Sequence, residues 1–426
     1  MTDEEIKFAG DVIIEQAVII NSKGFGESIL NQIYAIEIYE DMFSPFISGV
    51  ISVRESLDYI NIFPLVGEEV INLKIKTPNF DGEFEQIKAQ FSIYKITNRI
   101  LRNERNVVYE IHFISKEAIV DLNKKISKSF EGKVSDIART LLSDIQNGLE
   151  TPKKLNIEKT PNGIKYVSNF WSPVKNLNYL IENAKNDRDI PSYLFFENRF
   201  GFNFLSLESL YDLDIRQEFS YDGFYRDFTS GGKSKRNIEK EYKRIVNIEI
   251  PVLYDYMNKA MNGMYASKKI THDILTKKYK VNNFDMLTDF AKQKHLNTYP
   301  LVSPNHIRRP NQFIMNSASY WGNFNGYRDI TNSISSQLRL SLMEQALANK
   351  VIITVPGRTD YTVGDKIRLN LKKINPIKKE EEANEDIDAI FSGNYLINSI
   401  NHFITRERHE CIMEVIKDSY IKEIGT

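Results

Sequence analysis

The sequence lacks the features of a disulfide-linked, membrane-embedded or DNA-coating protein. Cys411 is the one cysteine in 426 residues, so an internal disulfide framework is excluded and assembly in a reducing cytoplasm is expected. No apolar run approaches the roughly 20 residues of a membrane span, and the N-terminus carries no basic-then-apolar leader, so stable membrane insertion is not expected. The 56 basic and 57 acidic residues leave a net charge of -1, which excludes a large basic face for gripping nucleic acid.

Motifs of catalysis and metal binding are also missing. The sequence contains no HExxH, CxxC pair, GxSxG elbow or DxDxDG loop. The adjacent pair Glu68-Glu69 would point to opposite faces of a strand, so it does not flank one glycosidic bond. His402, His409 and Glu414 are the one grouping that suggests a metal, but they lie across a turn without clear convergence. We therefore predict no enzyme activity and no catalytic, cofactor-binding or metal-ligating residue.

What is present is a small β module at the C-terminal end. From Val351 to Tyr420, apolar and polar residues alternate as in half-buried antiparallel strands. One strand face carries Val351, Ile353 and Val355, and later faces carry Ile367 and Leu369, then Tyr395, Ile397 and Ile400. The structural turns predicted for this module use Pro356, Gly357, Gly364 and Gly393.

An N-terminal segment beginning at Phe46 repeats this plan, with Gly67 as its structural turn. Val66-Gly67-Glu68 aligns with Val363-Gly364-Asp365, the strand around Tyr94 aligns with the strand around Tyr395, and Tyr109-Glu110-Ile111 falls near Met413-Glu414-Val415. The order of strands and turns is the same in both, which indicates an internal duplication of one β domain. The alternative is that any two four-stranded meanders share such a pattern.

The region between the modules mixes helices with strands. Residues 134–145 have the spacing of an amphipathic helix, and Ser172-Pro173 opens a second helix as N-cap and first-turn proline. The hairpin 193–205 is rich in aromatics, which favours a packed sheet face over a stacking platform because no basic groove accompanies them. A strand is predicted around 246–250, irregular surface over 299–311 and a helix over 334–348.

These patterns predict an α+β chain that is predominantly antiparallel β. Its organisation would be two related tube-like β-barrel or sandwich domains, at 1–118 and 341–426, with α+β segments inserted between them. The inserted segments are 119–235 and 236–340, and part of the second packs with the first.

The chain resembles the central baseplate hub protein of contractile-tailed bacteriophages. The resemblance is carried by FISGVISVRESLDYINIFPLVGEEVINLKIKTP, YLFFENRFGFNFLSLESL, NGMYASKKITHDILTKKYKV and VPGRTDYTVGDKIRLNL with FSGNYLINSINHFI and MEVIKDSY, in that order. It covers nearly the whole chain and is weakest in the first forty residues and at 372–388.

The resemblance implies a structural virion protein, made and assembled in the host cytoplasm and placed in the tail baseplate. Such hubs are homotrimers whose paired β domains form a pseudo-sixfold ring. The ring joins the hexameric tail tube, or a tube-initiator protein, to a trimeric central spike, with baseplate wedge proteins around it. DNA passes transiently and without sequence specificity through the channel.

A channel of this kind needs polar walls that are not strongly basic. The candidate lumen-facing residues are polar members of the alternating strands, namely Asn72, Lys74, Lys76, Arg368 and Asn370. Two other functions remain open from sequence alone. One is the corresponding hub of a related contractile injection or type VI-like secretion machine, and the other is a tail-associated cell-wall or polysaccharide hydrolase.

Overall fold

The computed structural model describes residues 6–56, 63, 65–78, 86–103, 106–221, 238–252, 254–273, 277, 279–305, 310–317, 333–373 and 387–424. Strands predominate and most pair antiparallel, which confirms the predicted α+β, mainly antiparallel β class. The sequence also predicts a crossover segment over 56–64, solvated charged loops over 77–86 and 372–388, and an exposed linker at 230–235. These four segments fall wholly or largely outside the described residues.

The elements fall into four stretches of the chain. The first contains β1 Ile13–Ile20, β2 Gly26–Ser28, β3 Ile33–Asp41, β4 Ser48–Glu55, β5 Val70–Lys76, β6 Ile87–Asn103 and β7 Asn106–Ser115. The second contains α1 Lys116–Asn123, β8 Ile126–Lys133, α2 Val134–Ser143, β9 Leu155–Ile157, β10 Gly163–Trp171, α3 Pro173–Asn183, β11 Tyr193–Asn198, β12 Gly201–Ser206, α4 Leu207–Tyr211 and β13 Ile215–Tyr221. The third contains α5 Ile238–Tyr242, β14 Asn247–Glu249, α6 Tyr256–Met261, β15 Ala266–Asp273, β16 Tyr279–Asp285, α7 Met286–Phe290, β17 Tyr299–Pro300, β18 Asn311–Ser317 and α8 Ser333–Ala346. The fourth contains β19 Asn349–Pro356, β20 Lys366–Leu371, β21 Gly393–Thr405, β22 His409–Lys417 and β23 Ser419–Tyr420.

One large sheet runs through both ends of the chain. Its strand order is β14-β19-β22-β21-β3-β4-β7-β6-β5-β1-β2, with β20 also paired to β21 and β13 to β20. The block β4-β7-β6-β5 therefore has the same order as the block β19-β22-β21-β20. We call these the first and second modules.

The two modules agree in detail as well as in order. The pair Ile51 and Ile111 matches the pair Ile353 and Met413 across the corresponding strands. Each module also contains a register shift at the same place, in β6 between Ile93 and Lys95 and in β21 between Ile397 and Ser399. Because bulges tend to be retained as fixed features of a fold, two at corresponding positions favour duplication over chance likeness of meanders.

The predicted alignment of Tyr94 with Tyr395 is wrong. Tyr94 is 48% exposed whereas Tyr395 is fully buried, and it is Phe91 that occupies the position of Tyr395. Phe91 faces Ile71 across its strand pair as Tyr395 faces Ile367. The first buried residue of β5, Ile71, follows Gly67 by four positions, whereas Ile367 follows Gly364 by three. An alignment of the two modules on their tyrosines is therefore out of register.

The alignment of Tyr109-Glu110-Ile111 with Met413-Glu414-Val415 needs a smaller correction. Ile111 is equivalent to Met413, because both face the equivalent pair Ile51 and Ile353. The shift is two residues, so the same strand face points into the core in both readings.

The inserted region between β7 and β13 has its own core. Helices α2 and α3 pack against each other and against the paired strands β8 and β10, and a small sheet β11-β12-β9 completes this core. The Ser172 hydroxyl accepts a hydrogen bond from the Lys175 N–H at 3.3 Å, which confirms the predicted N-cap. Phe195 and Phe202 are buried and stacked, so the aromatic hairpin is a packed face.

A second inserted region lies between β14 and β19. Its sheet β16-β15-β18 is covered by α8, which begins at Ser333 close to the predicted position. The prediction of irregular surface over 299–311 is wrong at its start, because Leu301 and Val302 are buried in a cluster with Tyr420. Nowhere in the described ranges is a helix both long enough and apolar enough to cross a membrane.

Candidate assembly interface

Strand β3 joins the two modules within one chain. Ile36 of β3 faces Ile51 of β4 on one side and Ile404 of β21 on the other. Ile404 is fully buried and packs into the core of the first module. Both edges of β3 are therefore paired, and the junction is continuous β-sheet.

Strand β14 is the counterpart of β3 in the second module. Ile248 of β14 faces Ile353 as Ile36 faces Ile51, and these partners are equivalent residues of the two modules. The sequences agree too, since Asn247-Ile248-Glu249-Ile250 repeats Ala35-Ile36-Glu37-Ile38 in all but its first residue. Within the described ranges, no strand pairs with the other edge of β14.

Strand β6 is the counterpart of β21. The first half of β6 pairs with β5, as the first half of β21 pairs with β20. The second half of β21, Ser399 to Thr405, then pairs with β3, but the described chain supplies no strand to the same edge of the second half of β6. We call this stretch, from Tyr94 to Leu101, the open edge of β6.

The end of the open edge exposes apolar side chains. Leu101 faces Val107 as Ile404 faces His409, so Leu101 holds the position of Ile404. Yet Leu101 is 69% exposed and its neighbour Ile100 is 55% exposed, while Ile404 is fully buried. Open edge strands with apolar side chains are sites at which another chain adds a strand.

Exposed apolar residues also flank β14. They are Val246, Ile250 and Val252. Single exposed apolar residues need no explanation, but here they lie at the unpaired edges of both β6 and β14 in one sheet. The two edges are therefore alike in chemistry and are counterparts of the two strands that pair inside the chain.

A bulge interrupts the open edge of β6. The register with β7 shifts between Thr97 and Ile100, and Asn98 adopts a left-handed backbone with φ of 54°. The corresponding part of β21 is regular. A bulge of this kind restricts which strand and which register can be added at the edge.

The predicted lumen-facing residues lie on the side of the strands away from the module cores. Asn72, Lys74 and Lys76 alternate with the buried residues of β5, and Arg368 and Asn370 alternate with those of β20. Because Ile71 and Ile367 are equivalent, Asn72 corresponds to Arg368 and Lys74 to Asn370. The structure thus brings these residues to one face in each module.

The cations on this face have acidic or polar partners. Lys74 and Lys76 contact Glu15 at 2.5 and 3.2 Å, and the hydrogen bond from Lys74 contributes most to lowering the pKa of Glu15. Arg368 donates to Asn394 at 3.0 Å and to Glu218 at 3.2 Å. The face is therefore polar without a concentrated positive charge.

The predicted turn residues have specific conformations. Gly67, Gly364 and Gly393 have φ of 94°, 87° and 123°, which favours glycine over residues with a Cβ. Pro356 ends β19, and a Cβ on the following Gly357 would lie 2.2 Å from the His409 ring.

The open edges of β6 and β14 are not predicted from the sequence. The repeated Ile-Glu-Ile of β3 and β14 is a signal that could have been read, but about a hundred residues separate β14 from the rest of its module. The free edge of β6 depends on pairing between distant strands, so no local pattern marks it.

Comparisons with known proteins agree with this architecture. No protein-family model matches the chain. It is 20% identical over 414 residues to a probable baseplate hub protein of Vibrio phage KVP40, covering 94% of this chain and 93% of that protein.

Two solved structures share the fold over nearly their whole length. The 43 kDa tail protein of prophage MuSo2 from Shewanella oneidensis aligns with a TM-score of 0.54 at 9% identity, covering 95% of this chain and 98% of that one. A tail protein from Neisseria meningitidis MC58 aligns with a TM-score of 0.54 at 10% identity, covering 95% and 96%. The chain is thus similar over most of its length to a phage baseplate hub protein and has the fold of phage tail proteins, which confirms the resemblance predicted from its sequence.

Proposed function

We propose that this protein is the structural hub of a phage tail baseplate and works as a homotrimeric ring. In the ring, β14 of one copy adds to the open edge of β6 of the next copy. The observation that carries the proposal is the equivalence of these two edges to β3 and β21, which pair within the chain. The contact between copies would repeat the contact between modules.

A contact of this kind is compatible with a closed ring. The two open edges are different surfaces, one on β14 at an end of the sheet and the other on the second half of β6, so the contact is head-to-tail and generates a ring when the rotation closes. Two equivalent junctions for each chain give three copies a pseudo-sixfold ring. That symmetry matches a hexameric tail tube on one side and a trimeric spike on the other.

The remaining partners follow from the proposed place in the virion. The spike, the tube or its initiator protein and the wedge proteins would contact the faces of the ring, and DNA would pass through its centre. The polar face of Asn72, Lys74 and Lys76 with Arg368 and Asn370 would line the channel. Because Lys74 and Lys76 are already paired with Glu15, this wall would not retain phosphates strongly.

A role without enzyme activity fits one buried carboxylate pair, Glu117 and Glu197. Glu117 and Glu197 come together in a buried setting, but Lys153 contacts both, at 2.7 and 2.5 Å. Glu197 also accepts the Ile47 N–H at 3.1 Å, which ties the inserted region to the first module. These groups are committed to structure, so a hydrolase is not favoured.

Disulfide trapping tests the ring directly. In the proposed register, Ile248 of one copy faces Leu101 of the next, as Ile36 faces Ile404 within the chain. The double variant Ile248→Cys with Leu101→Cys should therefore form a covalent trimer under mild oxidation, because directly opposed residues of paired strands are close enough to bridge. Non-reducing electrophoresis measures the product.

A matched control is available inside the chain. Ile36→Cys with Ile404→Cys tests the equivalent junction and should bridge within one chain, leaving a monomer on the same gel. If the control closes while the Ile248 and Leu101 pair yields no bond between chains at any concentration, the proposed contact is wrong.

A further inference from the structure

Two histidines and the cysteine converge in the core of the second module. His402 Nδ1 lies 3.0 Å from His409 Nε2, and Cys411 Sγ lies 3.4 and 3.5 Å from these two nitrogens. All three side chains are fully buried. We call His402, His409 and Cys411 the His-His-Cys cluster.

The pairing of β21 with β22 brings these three side chains together. His402 on β21 faces Cys411 across the strand pair, and His409 lies two residues before Cys411 on the same side of β22. Gly357 admits the imidazole, since a Cβ there would come within 2.2 Å of the His409 ring. The position of His409 in the cluster therefore depends on the turn at Gly357.

We propose that the cluster binds one zinc ion through His402 Nδ1, His409 Nε2 and Cys411 Sγ. Tetrahedral Zn²⁺ with ordinary bond lengths separates two nitrogen ligands by roughly 3.3 Å and a nitrogen from a sulfur by roughly 3.6 Å. The three separations in the cluster are each within about 0.4 Å of these values. A fourth, non-protein ligand completes the tetrahedron.

A buried acidic side chain lies next to the cluster, as suits a bound cation. With its Nδ1 on the metal, His402 carries its proton on Nε2, which lies 3.9 Å from the buried carboxylate of Glu40. Carboxylates commonly lie behind metal-bound histidines and orient the ring. The Cys411 thiolate offsets one of the two charges of zinc, and Glu40 is the acidic group beside His402, beyond hydrogen-bond distance in this structure.

Each imidazole ring of the cluster has a second nitrogen besides the one proposed to bind zinc. Among the described residues, His402 Nε2 and His409 Nδ1 have no hydrogen-bond partner within normal distance. These are the nitrogens that face away from the proposed zinc ion, so they carry the ring protons when His402 Nδ1 and His409 Nε2 bind the metal.

The ligand set differs from the one considered in the sequence. Glu414 accepts hydrogen bonds from Asn398 at 2.7 Å and from Lys350 at 3.1 Å, outside the cluster. Cys411 takes its place because it alternates with His409 on the buried side of β22. The cluster also sits at the junction of the modules, since His402 faces Ile38 of β3.

Metal analysis of the full chain tests the proposal. Protein made in zinc-supplemented medium with a reductant should retain about one zinc per chain after gel filtration, measured by mass spectrometry of the metal. Because the cluster is buried, chain unfolded and refolded with Co²⁺ in place of zinc provides a second route to loading. The cobalt form should then show a near-ultraviolet thiolate-to-cobalt absorption band.

Variants separate ligation from folding. Cys411→Ala should fold, judged by circular dichroism, but lose the charge-transfer band, and Glu40→Gln should weaken metal affinity about 10- to 100-fold. His272→Gln, at an exposed histidine on β15, should change neither. A folded chain that takes up no metal by either route, or a band that survives in Cys411→Ala, overturns the proposal.

Discussion

At the scale of single residues, Gly364 combines a left-handed backbone with close packing. Its φ is 87°, and a Cβ there would lie 3.3 Å from Phe196 and 3.5 Å from Leu210. We expect Gly364→Ala to lower the free energy of unfolding by about 1–3 kcal/mol and Gly364→Val to lower it further. Urea unfolding monitored by circular dichroism measures both.

Gly24 is a matched control for this prediction. Its φ is 83°, but no heavy atom lies within 4 Å of an added Cβ. Gly24→Ala should therefore show the backbone cost without the packing cost and be the milder change. Equal losses at the two positions would remove packing from the explanation, and an unchanged stability of Gly364→Val would refute the turn assignment.

Lys417 should make stability depend on pH. Its side chain is fully buried, and Nζ donates to the Ser392 carbonyl at 3.0 Å. Burial lowers the pKa of Lys417 to about 7 although Asp388 opposes the shift. In the unfolded chain the pKa of a lysine is about 10.4. Between pH 7 and that value the unfolded chain therefore binds more protons than the folded chain, and the free energy of unfolding should rise by at most about 1.4 kcal/mol per pH unit.

Lys417→Met tests this because it keeps the apolar stem and removes the ionisable group. Free energies of unfolding at pH 7.5, 8.5 and 9.5 give the slope for both proteins. The native chain should gain stability relative to the variant as pH rises. Parallel slopes would mean that Lys417 is not neutral in the folded protein.

At the scale of elements, the sequence predicts strands well and their alignment poorly. The period-two alternation of β19, β20, β21 and β22 follows from one buried face, so each strand could be located. The predicted alignment of Tyr94 with Tyr395 between the two modules is wrong, because the register depends on the length of the turn after Gly67 and on bulges. The alternation of apolar and polar residues encodes neither.

Local sequence patterns do not predict the candidate interface, for a related reason. An open edge is a property of the complete sheet, and the partners of β6 and β14 come from distant parts of the chain. The His-His-Cys cluster is partly predictable from the sequence. His409 and Cys411 alternate visibly, but the approach of His402 depends on the hairpin register of β21 and β22.

The charged loop should be dispensable for folding. Lys372 and Ile387 form an antiparallel bridge, so the ends of the loop are already adjacent. Replacing residues 374–386 with Asn-Gly closes a short hairpin. We expect the free energy of unfolding to change by less than about 0.5 kcal/mol and the native mass to remain that of the full-length assembly. Normal expression with loss of the trimer would instead assign the loop to the interface.

At the scale of the whole molecule, the same type of strand pairing accounts for both the fold of one chain and the proposed assembly of several. The pairing of β3 with β21 buries Ile404, whereas the corresponding Leu101 is left exposed by a single chain. An isolated chain therefore has one satisfied junction and one incomplete junction. Association of copies satisfies the second without any new type of contact, which removes two open edges from each chain.

Charge placed at the incomplete junction should separate assembly from folding. Leu101→Asp would bury an unpaired carboxylate between copies, which is costly, but would leave it in water in the single chain. We expect this variant to keep its thermal midpoint of unfolding at low concentration and to shift from the mass of three chains to that of one in native mass spectrometry. Leu122→Asp is the control, because Leu122 on α1 is 70% exposed, much like Leu101, and belongs to neither β6 nor β14. If both variants stay trimeric, the strands of β6 and β14 do not form the contact, and the ring must close through another surface.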